Sequence, residues 1–136
     1  MSEFRKVTED FSVAPQITPD DIAAAADQGF VLVINNRPDG EAPDQPSNAQ
    51  MAAAAKAAGV AYVHIPVRGG PTPEQVEQVQ AAIAEADGPV LAFCRSGTRS
   101  IITWSLGQAS SGARDRGDLV RLGHDAGYDL SGVLGA

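Results

Sequence analysis

The chain has 136 residues, 43% of them hydrophobic, and ten Lys and Arg set against seventeen Asp and Glu give a formal net charge of -7. That length fits one domain spanning residues 1–136, with its core over about 11–127 and peripheral segments at 1–10 and 128–136. The acidic balance excludes the positive field that nucleic acid or an anionic membrane requires, and no stretch reaches the roughly 18 apolar residues of a membrane helix.

Phe11 to Ile17 reads as a short strand with its exit loop. Thr18-Pro19-Asp20-Asp21 then supplies a cap, a first-turn proline and first-turn acids for a helix over Pro19 to Gln28, closed by Gly29. Phe30 to Ile34 is a continuous apolar run of the kind carried by parallel strands buried on both faces, and Asn35 to Gly40 breaks it with turn-forming residues. Ser47 to Ala58 is alanine-rich and helical by propensity, and Val60 to Ile65 is the next strand. Thr72 and Gln75 form a capping-box pair ahead of a helix with Val76, Val79 and Ile83 on one face, ending near Asp87-Gly88. Pro89 to Phe93 is a strand, Ser100 to Gln108 a buried helix, residues 109–114 a loop, and Asp115 to Ala126 a final amphipathic helix. Tyr128 to Val133 carries no assignable pattern. This alternation predicts a three-layer α/β/α fold around a parallel sheet of four strands, or five, with ligands bound beyond the strands' carboxyl ends. Three loops leave such ends: Asn35–Glu41, Pro66–Gly70 and Cys94–Arg99.

The third loop carries the chemistry. Cys94-Arg95-Ser96-Gly97-Thr98-Arg99-Ser100 follows an apolar strand and opens a helix, so inward-turned amides and the positive helix end favour an anion there. A thiol among those donors and beside Arg95 and Arg99 is expected to ionise below the free-cysteine value of about 8.5 and act as a nucleophile. Gly97 permits the tight turn, Ser96 and Thr98 complete the anion-binding loop, and Arg99 has the fork that grips two anion oxygens at once. Arg95 either recognises substrate or points outward. Arg37 and Arg68 stand on the neighbouring loops as further anion ligands, against readings as turn chemistry and as a solvated charge. His64 lies in an apolar strand, where a core histidine bonded to backbone is the commoner outcome, and Trp104 reads as core. His64 and His124 stand apart and form no ligand array with Cys94, so neither metal nor cofactor is expected. With one cysteine and no apolar leader of signal-peptide length, a cytoplasmic location is the default.

From about Phe11 to Gln108, the motifs Val33 to Glu41, His64-Ile65-Pro66-Val67 and Cys94 to Ser100 resemble, in order, the phosphatase-like domain of β-lactamase-hydrolase-like proteins. That family is similar in fold to dual-specificity and tyrosine phosphatases. The resemblance implies a sheet in which the cysteine-bearing fourth strand lies between the first and second, giving the order 1-4-2-3. It also implies a phosphocysteine intermediate, with Cys94 as nucleophile, Arg99 as phosphate clamp and Ser100 easing thiolate departure. Tyrosine phosphatases place five residues between cysteine and arginine, whereas four stand here, Phe93 precedes the cysteine, and no carboxylate follows Pro66. Asp39, or Glu41, is the candidate substitute for the missing general acid. The six-residue span Cys94 to Arg99 also resembles the loop of rhodaneses, sulfurtransferases that carry sulfane sulfur as a persulfide. Three readings therefore stand: a phosphate-monoester hydrolase, a persulfide-forming sulfurtransferase, and a non-catalytic anion-binding or redox-sensing module.

Overall fold

Every parallel strand is four residues long and feeds a loop at the same end of one sheet, and that arrangement sets where the site forms. The computed structural model describes residues 4–135. In chain order the elements are β1 (Arg5–Thr8), β2 (Phe11–Ala14), α1 (Pro19–Asp27), β3 (Leu32–Asn35), α2 (Asn48–Ala58) and β4 (Ala61–His64). There follow α3 (Pro73–Glu85), β5 (Val90–Phe93), α4 (Thr98–Ser111), α5 (Arg116–Asp125) and α6 (Ser131–Leu134).

The sheet order is β1-β2-β5-β3-β4. Its four parallel strands thus take the expected arrangement, with the cysteine-bearing β5 between β2 and β3 and with β4 at one edge. A fifth strand, β1, adds antiparallel to β2 and draws on a segment expected to be peripheral. Its Arg-Lys-Val-Thr sequence buries only Val7, as befits an edge strand whose charged side chains stay in water.

Alternation along the strands splits the core in two. On one face Phe11, Val13, Leu32, Ile34, Val90 and Ala92 pack with Val79, Ile101, Trp104 and Leu119 from α3, α4 and α5. On the other, Val33, Leu91 and Phe93 meet Ile22, Ala25, Met51 and Ala55 from α1 and α2. The three-layer α/β/α architecture follows from strands that are apolar on both faces. Trp104 is core as expected, its ring stacked on Phe11 at 5.0 Å between centroids.

Thr18, Ser47 and Thr72 each cap a helix, and the residue three places on returns the bond in all three boxes. Two boundaries differ from the sequence reading. Helix α4 starts at Thr98 and runs to Ser111 through part of the expected loop, because Gly112 ends it in a left-handed conformation and the Ser110 and Ser111 hydroxyls bond back into the last turn. The unassigned tail folds onto the first core, where Tyr128, Leu130 and Leu134 are buried. Among the described residues no helix is long and apolar enough to cross a membrane.

Candidate active site

Strand β5 delivers Cys94 between the exits of two neighbours. The Cys94 N–H donates to Ala14 O at 3.4 Å, the Gln16 N–H to Arg95 O at 3.2 Å, and the Asn36 N–H to Phe93 O at 2.8 Å, so the loop is clasped from both sides. The Cys94 side chain is 0% exposed, and its sulfur accepts the Gly97 N–H at 3.1 Å. Gly97 is the N-cap of α4 with φ +91°, a conformation L side chains rarely adopt, and an added Cβ would collide with the Tyr128 hydroxyl. The helix therefore begins with its amide end beside the sulfur, where partial positive charge favours an anion. The Ser96 hydroxyl donates to the Thr98 hydroxyl at 2.9 Å, both on the exposed rim.

Arg99 gathers all three loops. Its Nη1 donates to Glu41 Oε2 and to the Val67 carbonyl, and its Nη2 to Glu41 Oε1, each at 2.8 Å. Arg37, only 6% exposed, donates from Nε to the same Glu41 Oε1 at 2.9 Å and from Nη1 to Gln16 Oε1 at 3.0 Å. One carboxylate shared by two guanidiniums leaves one positive charge uncompensated. The Arg99 hydrogen bonds, then those of Arg37, pull the Glu41 carboxyl from an ordinary 4.5 to about 2, against the burial that opposes ionisation. Glu41 in turn raises Arg99, to which the nearby Cys94 sulfur also contributes while burial works the other way. A guanidinium has five N–H donors, and Glu41 and Val67 take three of them. The remaining two, on Nε and Nη2, form its second edge.

Beneath this lies a buried polar floor. Ser100 donates to Asn36 Oδ1 at 2.8 Å, Asn36 Nδ2 donates to Ile65 O at 2.9 Å, and Asn35 Oδ1 accepts the Arg37 N–H at 2.8 Å. His64 Nε2 donates to Arg37 O at 2.9 Å, so this histidine shapes the Arg37 loop as a backbone-bonded residue. Among the described residues no buried side-chain nitrogen or oxygen lacks a partner. Such satisfaction makes the floor rigid.

The structure thus brings together Cys94, Ser96, Gly97, Thr98, Arg99, Ser100 and Arg37. Arg68, in the Pro66–Gly70 loop, and Arg95, in the Cys94–Arg99 loop, are exposed, Arg68 one residue past the Val67 carbonyl that Arg99 holds. Asp39 is placed elsewhere: its carboxylate accepts the Asn48 N–H at 2.7 Å at the start of α2. The single hydroxyl proton of Ser100 is committed to Asn36. The sequence reading missed Tyr128, whose hydroxyl donates to Ser96 O at 2.8 Å. The apolar residues Tyr128, Leu130, Val133 and Leu134 in this short tail were the available signal that it packs on the core.

The family model described as "Beta-lactamase hydrolase-like protein, phosphatase-like domain" matches residues 3–111. A β-lactamase hydrolase-like protein of Agrobacterium fabrum is 41% identical over 126 residues, covering 92% of this chain and 29% of that protein. The chain therefore spans less than a third of that relative's length. Among solved structures, a candidate phosphatase from Neisseria meningitidis superposes with a TM-score of 0.82 at 34% identity, covering 93% of this chain and 90% of that one. Another, from Shewanella putrefaciens, has a TM-score of 0.76 at 21% identity, covers 97% and 82%, and speaks to the fold.

Proposed function

The chain belongs to the phosphatase-like domain family of β-lactamase hydrolase-like proteins, and from that premise we propose that it is a cysteine-dependent hydrolase of phosphate monoesters. The observation that supports this is the juxtaposition of the Cys94 sulfur, bonded by the Gly97 amide, with the guanidinium of Arg99, which also interacts with that sulfur. The sulfur attacks phosphorus, the bond to the ester oxygen breaks, and the leaving oxygen departs with the electron pair. Water then attacks the phosphocysteine, the P–S bond breaks, and phosphate leaves with the thiolate restored. Loop amides and Arg99 hold the equatorial oxygens while charge develops, with Ser96 and Thr98 at the rim. Arg37 acts through Glu41, and the exposed Arg95 and Arg68 draw the anion in. Ser100 assists thiolate departure once its hydroxyl leaves Asn36. Since Cys94 has no exposed surface, substrate binding includes a small opening of the loop over the sulfur.

Leaving-group chemistry sets the substrate class. Asp39 is engaged with the α2 backbone and Glu41 is held at about 2, so neither carboxyl stands ready to protonate a departing oxygen. Phenols leave as anions readily, and alcohols do not. Aryl phosphates are therefore the preferred class, with alkyl phosphates slower by roughly 10²-fold or more.

The same missing acid favours a second reading. Cys94 attacking the outer sulfur of thiosulfate breaks an S–S bond and expels sulfite, which requires no proton, and leaves a persulfide that cyanide converts to thiocyanate. A paired assay decides between them. Wild type and Cys94→Ser are offered an aryl phosphate and, separately, thiosulfate with cyanide. Phosphate release dependent on Cys94 supports the hydrolase, thiocyanate alone replaces it with the sulfurtransferase, and neither product overturns both in favour of a non-catalytic thiol module.

A further inference from the structure

Tyr128 lies beyond residues 3–111 that the family model covers, on the segment that follows α5, yet its ring reaches the cysteine loop. Its placement is overdetermined. The Tyr128 N–H closes the end of α5 on Gly123 O at 2.8 Å, Leu130 packs against Gly123, and the Arg5 guanidinium of β1 sits 5.2 Å over the ring centroid. Tyr128 is 9% exposed, so the hydroxyl is aimed by packing on several sides.

What that hydroxyl holds is one peptide unit. It donates to Ser96 O at 2.8 Å, and the N–H of the same unit, on Gly97, donates to Cys94 Sγ at 3.1 Å. In a trans peptide the C=O and N–H point in opposite directions across a rigid plane. Fixing the carbonyl toward Tyr128 therefore fixes the amide toward the sulfur. Gly97, at φ +91° and without a Cβ, offers little steric resistance of its own to rotation of this plane, and the two hydrogen bonds at its ends hold the orientation. We propose that Tyr128 is a positioning residue of the active-site loop, orienting the Ser96–Gly97 peptide so that its N–H faces the Cys94 sulfur. Its consequence for turnover rests on the hydrolase reading above, whereas the orientation itself does not.

The test uses the full chain and Tyr128→Phe, which keeps the ring and its packing and deletes only the hydroxyl. Amide hydrogen exchange and the ¹⁵N–¹H shift of Gly97 are followed by NMR, with the Ile101 amide, bonded to Gly97 O at 3.0 Å in the next turn, as the internal reference. Losing one hydrogen bond from the plane should speed Gly97 exchange by roughly 3- to 10-fold and move its shift, with Ile101 exchange unchanged. Gly97 exchange and shift that stay as in wild type overturn the proposal. So does equal acceleration at Ile101, which means general destabilisation. A separate arm measures aryl phosphate turnover, where Tyr128→Phe should lower kcat several-fold and leave KM within about 2-fold. If wild type itself shows no turnover, the hydrolase reading fails while the Gly97 measurement still decides the role of Tyr128.

Discussion

Replacing Glu41 by Gln removes the one negative charge that Arg37 and Arg99 share, and the effect can be sized. Its carboxyl is held at about 2 in place of an ordinary 4.5, first by the Arg99 hydrogen bonds. A drop of that extent corresponds to about 3 kcal/mol if fully expressed. The side chain is 27% exposed, so screening by solvent reduces the contribution to about 1–2 kcal/mol. The folded-state value lies below the unfolded one, so this stability is complete above pH 4.5 and is lost as the pH falls through about 2. Urea unfolding of wild type and Glu41→Gln should therefore differ by about 1–2 kcal/mol at neutral pH, with the gap closing across that acid window. A gap unchanged down to about pH 3, or none at neutral pH, would refute the assignment of Glu41 as the shared counter-ion.

Three further substitutions probe the loop and its surroundings. Gly97→Ala forces a Cβ onto a residue at φ +91° and into the Tyr128 hydroxyl, so unfolding measurements should show a loss of about 2 kcal/mol or more together with abolished turnover. Arg99→Lys keeps the charge but cannot grip Glu41, the Val67 carbonyl and an oxyanion at once, and kcat/KM for an aryl phosphate should fall by roughly 10²-fold or more. Asp39→Asn keeps an acceptor for the Asn48 N–H, and the pH–rate profile should match that of wild type; loss of one limb would restore Asp39 as the general acid.

What could be read from the chain is what local chemistry encodes. The apolar runs ending at Ile34 and Phe93 mark strands buried on both faces, and Thr18, Ser47 and Thr72 announce helix starts through bonds spanning three residues. The strand-loop-helix pattern around Cys94 likewise identifies the loop. Assignments between distant side chains were not accessible in that way. Asp39 and Glu41 are near neighbours in sequence and both looked like possible acids, but one caps a backbone amide and the other bridges two arginines. Only the path of the chain between β3 and α2 separates those fates. Strand β1 escaped notice because its charged edge lacks an apolar run, and Tyr128 because its partner Ser96 stands 32 residues away.

A single guanidinium joins the segments that follow β3, β4 and β5, since Arg99 belongs to the last and reaches Glu41 and Val67 in the other two. These segments come together only when the crossovers through α2 and α3 have been completed. No fragment lacking one of these three segments holds the full set of Arg99 contacts. The anion grip is therefore a property of the assembled sheet, because it depends on the mutual placement of three strand exits.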